Sequence, residues 1–274
     1  MNAPCRTLLA AVLALAVAGP AHAVFVNGGF EQNSFQGWTL GGGSNPGLAG
    51  APPFTGDSIR INGSTPGPAS IVGPGSSDPR APQIALPRVG NHTAKINDEA
   101  SGARITTLRQ SDVLTQADID PGDGLPHVRF AFAPVLEDPS HLPQQQPYFY
   151  VAVRNTADNS VLFEQFAYSG QPGVQFRNDV GNWRYLPFQD VDAVLPASAI
   201  GQTIELTAIA ADCSLGAHGG YVYLDGFGSA PVGGPTPPQP ALPVPALDRF
   251  GLLLMALAMA LAGLWLWRRP VPRP

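Results

Sequence analysis

Two short stretches set chemically capable side chains close together: Asp138-Pro139-Ser140-His141, and the run from Asp212-Cys213 to His218. A carboxylate near an imidazole is the pairing that general acid–base chemistry uses, and Cys213 with His218 and Asp212 adds the residue types of a thiol nucleophile and its base. Against a catalytic reading, Cys213 and His218 share one short loop, and no oxyanion hole or activated-serine motif accompanies them. Asp-Pro and Asp-x-x-x-Gly are also turn formers, and a turn histidine can hold neighbouring backbone between strands. The expectation is that the protein is not an enzyme. Cys5 falls in the first few residues, so Cys213 stands alone, with no partner for a disulfide and no cysteine-based metal site.

Glycan recognition is the other chemistry in view. It needs exposed rings for the apolar face of a sugar and polar groups for its hydroxyls. Trp183 and Tyr185 share a strand face in NWRYLPF and are the leading candidates, followed by Tyr148 and Tyr150 in PYFY. Tyr221 and Tyr223 form a third same-face pair, expected to be structural, because such pairs usually pack a sheet.

The elements that must position these residues are β throughout. Val128, Phe130 and Phe132 alternate with Arg129, Ala131 and Ala133; Phe149, Val151 and Val153 share a face; Ile204, Leu206 and Ala208 oppose Thr203, Glu205 and Thr207. This period of two marks half-buried strands. Turn clusters such as Asp120-Pro121-Gly122-Asp123-Gly124 separate them. Only SDVLTQADI and LPASAI suggest a helical turn. The expected fold class is all-β, a single antiparallel β-sandwich of the jelly-roll kind. The Gly-, Pro- and Ser-rich region from Gly41 to Arg88 reads as long loops around one or two strands, SIRIN and PASIV.

Both ends of the chain carry targeting features. Residues 1–23 have Arg6, an apolar stretch from Leu8 to Ala18 and a small-x-small close at Ala21-His22-Ala23, the pattern of a secretory signal peptide. The β-sandwich domain then spans 24–229. Residues 230–245 hold seven prolines and form a semi-rigid linker, which at ~3.1 Å per residue reaches roughly 50 Å. Residues 246–274 contain an uncharged apolar stretch, 250–267, long enough for a transmembrane helix, with Arg268 and Arg269 at its cytoplasmic end. Val244, Pro245, Ala246 and Leu247, then Phe250 and Gly251, the apolar stretch and the two arginines resemble the IPTL-type C-terminal sorting signals of Gram-negative bacteria, relatives of the PEP type. Val stands for the usual Ile, Ala for Thr and Phe250 for Trp. The resemblance implies export through the Sec pathway and a transient inner-membrane tether. It also implies an exosortase-like processing partner, then release to the cell surface or extracellular matrix; a permanent anchor is the alternative.

Two further resemblances concern the domain itself. The opening VNGGFEQNSFQGWTL is similar to that of jelly-roll carbohydrate-binding modules. That resemblance implies a structural calcium held by Glu31 and Asp225, with carbonyl oxygens from Gly29 and from near Lys95. FAPVLEDPSHLPQQQPYFYVAV, NWRYLPFQDVD and ADCSLGAHGGYVYLDGFG resemble, in that order, a domain of Bacteroidetes surface and adhesion-associated proteins. Those domains often carry a second cysteine where this chain has Gly226-Phe227-Gly228, so the disulfide of Cys213 is missing and Cys213 becomes either a buried apolar residue or a free thiol.

Charge narrows the partners. Between Val24 and Pro231 there are 10 basic and 19 acidic residues, and Lys95 is the one lysine of the chain. Such a surface repels phosphates, which excludes nucleic acid as a partner. The function expected is adhesion or binding of extracellular polysaccharide, with a ligand-free structural matrix component as the alternative.

Overall fold

The computed structural model describes residues 25–232. The signal peptide, most of the proline-rich linker and the C-terminal sorting segment with its apolar stretch lie outside those residues. No helix among the described residues is long and apolar enough to cross a membrane.

Among the described residues, twelve strands form two antiparallel sheets. The five-stranded sheet has the order β1 (Thr39–Ser44), β4 (Arg104–Val113), β11 (Thr203–Ala211), β6 (Tyr148–Asn155) and β7 (Val161–Tyr168). The seven-stranded sheet runs β2 (Ala69–Val72), β3 (Thr93–Ile96), β12 (Gly220–Gly228), β5 (His127–Glu137), β9 (Trp183–Tyr185) and β8 (Arg177–Asn178), and β10 (Gln189–Val194) pairs with the first half of β5. The chain passes repeatedly from one sheet to the other, as a sandwich requires. The expected strand alternation holds: Val128, Phe130 and Phe132 of β5 meet Phe149, Val151 and Val153 of β6 and Ile204, Leu206 and Ala208 of β11 in the central core. SDVLTQADI and LPASAI contribute short 3-10 turns at Gln116–Asp118 and Ala197–Ala199. PASIV supplies β2, whereas SIRIN is not a strand: a 3-10 turn ends at Ser58, and Asn62 makes one isolated bridge to Ser44.

The long loops do more than connect. Leu48 and Phe54, with Ile59 and Ile61, lie over the outer face of the five-stranded sheet and bury Tyr148, Tyr150, Tyr168 and Ile209 in a second core. Ala81 and Ile84, with Leu86, do the same on the outer face of the other sheet, over Ala133, Val135, Trp183, Tyr185, Tyr221 and Tyr223. A sheet with both faces covered buries both sets of alternating residues, which is why β5 is buried over nearly its whole length.

The N-terminal turn fastens the first residues to the last strand. Phe227 N donates to Gly28 O at 3.0 Å, and a Cβ at Gly28 would stand 1.7 Å from the Phe227 carbonyl oxygen, so only glycine permits this approach. Phe30 is fully buried and stacks on Trp38 at 5.0 Å, and Trp38 Nε1 donates to Asn27 O at 3.1 Å.

Candidate functional site

The four aromatic residues expected to present an exposed sugar platform are interior. Trp183, Tyr185 and Tyr150 are each 4% exposed and Tyr148 is fully buried. Trp183 sits 5.7 Å from the Tyr221 ring with the Arg80 guanidinium over its own ring, and Tyr150 donates to Glu164 Oε2 at 2.9 Å while accepting from Arg154 Nη2 at 2.8 Å. They stand on outer sheet faces, as their alternation with core residues requires, but the loops roof those faces. The roof over Trp183 is fastened by Asp78. This fully interior carboxylate accepts from Tyr221 Oη at 2.9 Å, Tyr223 Oη at 2.5 Å, Arg80 N at 2.7 Å and Ala81 N at 2.6 Å. Tyr221 and Tyr223 are therefore structural, as expected, and burial together with the Asp78 charge pushes both phenols far above their ordinary value.

The two acid–imidazole pairs suggested by adjacency do not form. Asp138 accepts from Gln146 Nε2 at 3.3 Å and from Arg184 Nε at 3.3 Å. Asp212 is buried and accepts from Asn97 Nδ2 at 2.8 Å and Arg104 N at 3.0 Å; burial lifts its carboxyl to about 6. Among the described residues neither acid hydrogen-bonds a histidine. The loops instead bring His141, Cys213 and His218 to one another, with their ligating atoms all within 4.8 Å. The expectation that one thiol rules out a cysteine-containing metal site counted only sulfur, and the fold sets two imidazoles beside it.

Glu31 and Asp225 do converge, flanking Gly29: a Cβ there would lie 3.8 Å from Glu31 Cγ and 3.9 Å from Asp225 Oδ1. Asp225 is fully buried and accepts from Val89 N at 3.0 Å, Thr93 Oγ1 at 2.5 Å and Gly226 N at 2.7 Å. Glu31 accepts from Asn91 N at 2.9 Å and His92 N at 3.2 Å, pressed against Gly90 at φ 60°. Burial, with the Glu31 charge adding to it, raises the Asp225 carboxyl to about 7. Neither carboxylate has a basic partner among the described residues. An all-oxygen pair of this kind suits a hard cation such as calcium. Lys95 does not belong with them. It lies mid-strand in β3, paired with Tyr223 and Ser70, and its ammonium meets Glu99 at 2.7 Å and the Tyr221 ring at 3.9 Å. Asp225 is met instead by Val89 N, in the turn before β3, and by Thr93 Oγ1, at the first residue of β3.

A surface cleft of about 420 Å³ opens where β7 meets the segments 174–177 and 186–189. Gln165, Gln175, Gln189 and Arg177 line it together with Val174, Leu186 and Pro187. Arg177 is exposed, and its guanidinium has no ion pair or hydrogen bond among the described residues. These residues escaped sequence reasoning because they come from three separate segments with no shared period. The one local signal is a Gln two or three residues after a Pro, Gln175 in QPGVQF and Gln189 in LPFQD.

The C-terminal segment matches the IPTL-CTERM motif over residues 243–269, which covers the sorting signal expected from Val244 to Arg269. No curated protein matches the chain. Among solved structures it is similar to a carbohydrate-binding module of the β-sandwich superfamily, described for promiscuous specificity, at 14% identity and TM-score 0.33 over 76% of this chain and 62% of that one. It is similar to CBM27-1 of Caldicellulosiruptor saccharolyticus in complex with mannohexaose, at 14% identity and TM-score 0.37 over 73% of this chain and 93% of that one. It is also similar to the K3 adhesin domain of Lys-gingipain from Porphyromonas gingivalis, at 14% identity and TM-score 0.32 over 75% of this chain and 97% of that one. Overlaps this loose do not bear on any ligand of this chain.

Because Trp183 is core, Trp183→Ala is expected to cost about 3–5 kcal/mol of stability. Chemical denaturation should show that loss. An unchanged midpoint would mean that the ring is a surface group after all.

Proposed function

We propose that the chain is an exported surface protein whose β-sandwich attaches to polysaccharide through the cleft between β7 and residues 174–189. The observation that carries this reading is the cleft's composition: three amides and a free guanidinium around an apolar floor of Val174, Leu186 and Pro187. An amide both donates and accepts, as a sugar hydroxyl does, and the C–H face of a pyranose packs on Leu186 and Pro187. The sorting motif at 243–269 supports delivery to the cell surface or matrix. In this reading the secretory signal exports the chain, the apolar stretch 250–267 holds it in the inner membrane, and an exosortase-like enzyme processes it.

The burial of Trp183, Tyr185, Tyr148 and Tyr150 favours a second reading, a structural matrix component without a specific ligand. Binding of the purified chain to a polysaccharide panel that includes the host's own matrix separates the two. Binding weakened about tenfold by Arg177→Ala, the ~1.4 kcal/mol of one hydrogen bond to a charged group, supports the cleft. No binding to any member of the panel leaves the structural reading.

Calcium belongs to the proposal as a brace. Glu31 and Asp225 would hold it, tying the first turn to the last strand, and the ion would relieve the repulsion between their charges. Saturating calcium should raise Tm by about 5 °C or more in the native chain, with chelator reversing the gain and Asp225→Asn abolishing it. Equal melting with calcium and with chelator would dispose of the brace.

A further inference from the structure

We propose that His141, Cys213 and His218 form a binding site for a single thiophilic transition-metal ion, of which zinc is the natural probe. The three ligand atoms already lie within 4.8 Å of one another. Cys213 Sγ and His218 Nδ1 are 3.5 Å apart. Two ligands of a tetrahedral zinc ion, with Zn–S near 2.3 Å and Zn–N near 2.05 Å, stand about 3.6 Å apart, so this pair is placed for coordination with no rearrangement. The His141 and His218 rings face each other edge to face at 5.0 Å, and His141 Nδ1 is buried without a hydrogen-bond partner. A buried ring nitrogen left unpaired is costly, and a metal ion satisfies it.

The loops that carry these ligands are built to hold them. Cys213 N donates to His218 O at 2.9 Å and Gly216 N to Cys213 O at 3.1 Å, which curls the β11–β12 connection so that both side chains meet. Ser214 N donates to Gln145 O at 3.1 Å and joins this connection to the β5–β6 connection, while Gln146 Nε2 holds His141 O at 3.2 Å. The thiol is fully buried and has no disulfide partner among the described residues, and the half-buried imidazoles give an ion access from solvent. Cys213 loses its proton to solvent on binding, and each histidine ligates through a neutral ring nitrogen. Three protein ligands leave a fourth position for water or another small ligand. The site is independent of the polysaccharide cleft and shares no residue with it.

The test is titration of the reduced, metal-stripped full chain with zinc, and with cobalt as a spectroscopic substitute. One ion per chain with a thiolate-to-cobalt charge-transfer band is the expected result. Cys213→Ser should abolish the band, and His141→Gln and His218→Gln should each weaken zinc binding on the order of 100-fold, as much as or more than loss of a supporting contact does. His92→Gln, a histidine outside the cluster, should bind as the native chain does. Near-ultraviolet circular dichroism of each metal-free variant, matched to the metal-free native chain, shows that the fold survives. Absence of stoichiometric binding by the reduced native chain overturns the proposal. So does unchanged affinity in both cluster-histidine variants, or equal loss in His92→Gln.

Discussion

The Asp78 carboxylate decides what this sandwich shows to its surroundings. It gathers two tyrosine hydroxyls from β12 and two amides of its own loop, with no water-facing surface of its own. Each of these donors would cost about 1–3 kcal/mol if left buried and unpaired. The loop is therefore fastened, and Ala81, Ile84 and Leu86 stay on the sheet. Trp183 and Tyr185 become core as a direct result. On the opposite face Leu48 and Phe54 act in the same way on Tyr148 and Tyr150 through packing alone. With the aromatic patches of both sheets roofed, the open cleft lies beside β7, an edge strand of the five-stranded sheet.

Carboxylates also secure the ends of the domain. Asp225 reaches Val89 in the turn before β3 and Thr93 at the start of β3, and Glu31 reaches the same turn through Asn91 and His92, so first turn, last strand and β3 are joined at one point. Near the exit of the chain, Arg129 donates from Nη1 to Ser229 O at 2.7 Å and pairs through Nε with Asp192 at 2.9 Å. The domain thus ends on a fixed residue before the linker that leads to the sorting motif.

Much of this was legible in the sequence, and the rest was hidden for identifiable reasons. Period-two alternation located β5, β6, β11 and β12 because each has one face in the central core. It also placed Trp183 and Tyr185 together on the opposite face, correctly. Whether that face was wet depended on Ile84 and Leu86, in a Pro- and Gly-rich stretch whose composition signals turns and conceals its apolar anchors. Lys95 turns its ammonium to Glu99 and the Tyr221 ring, so its side chain has no part in the Glu31–Asp225 pair. His141 and Cys213 belong to different loops, which the Ser214–Gln145 hydrogen bond and the His141–His218 ring contact bring together. Adjacency in sequence pointed to Asp138 and Asp212 as partners, but Arg184 and Arg104 had the stronger claim on those charges.

The central claim is that this sandwich meets polysaccharide at its edge cleft while its aromatic faces stay closed. Hydrogen–deuterium exchange of the chain, with and without a polysaccharide that it retains, tests this directly. The account predicts protection on binding at Gln165, at residues 174–177 and at residues 186–189, with exchange unchanged in the loop around Asp78. Protection centred on Trp183 and Tyr185, with the Asp78 loop opening to expose them, would contradict it.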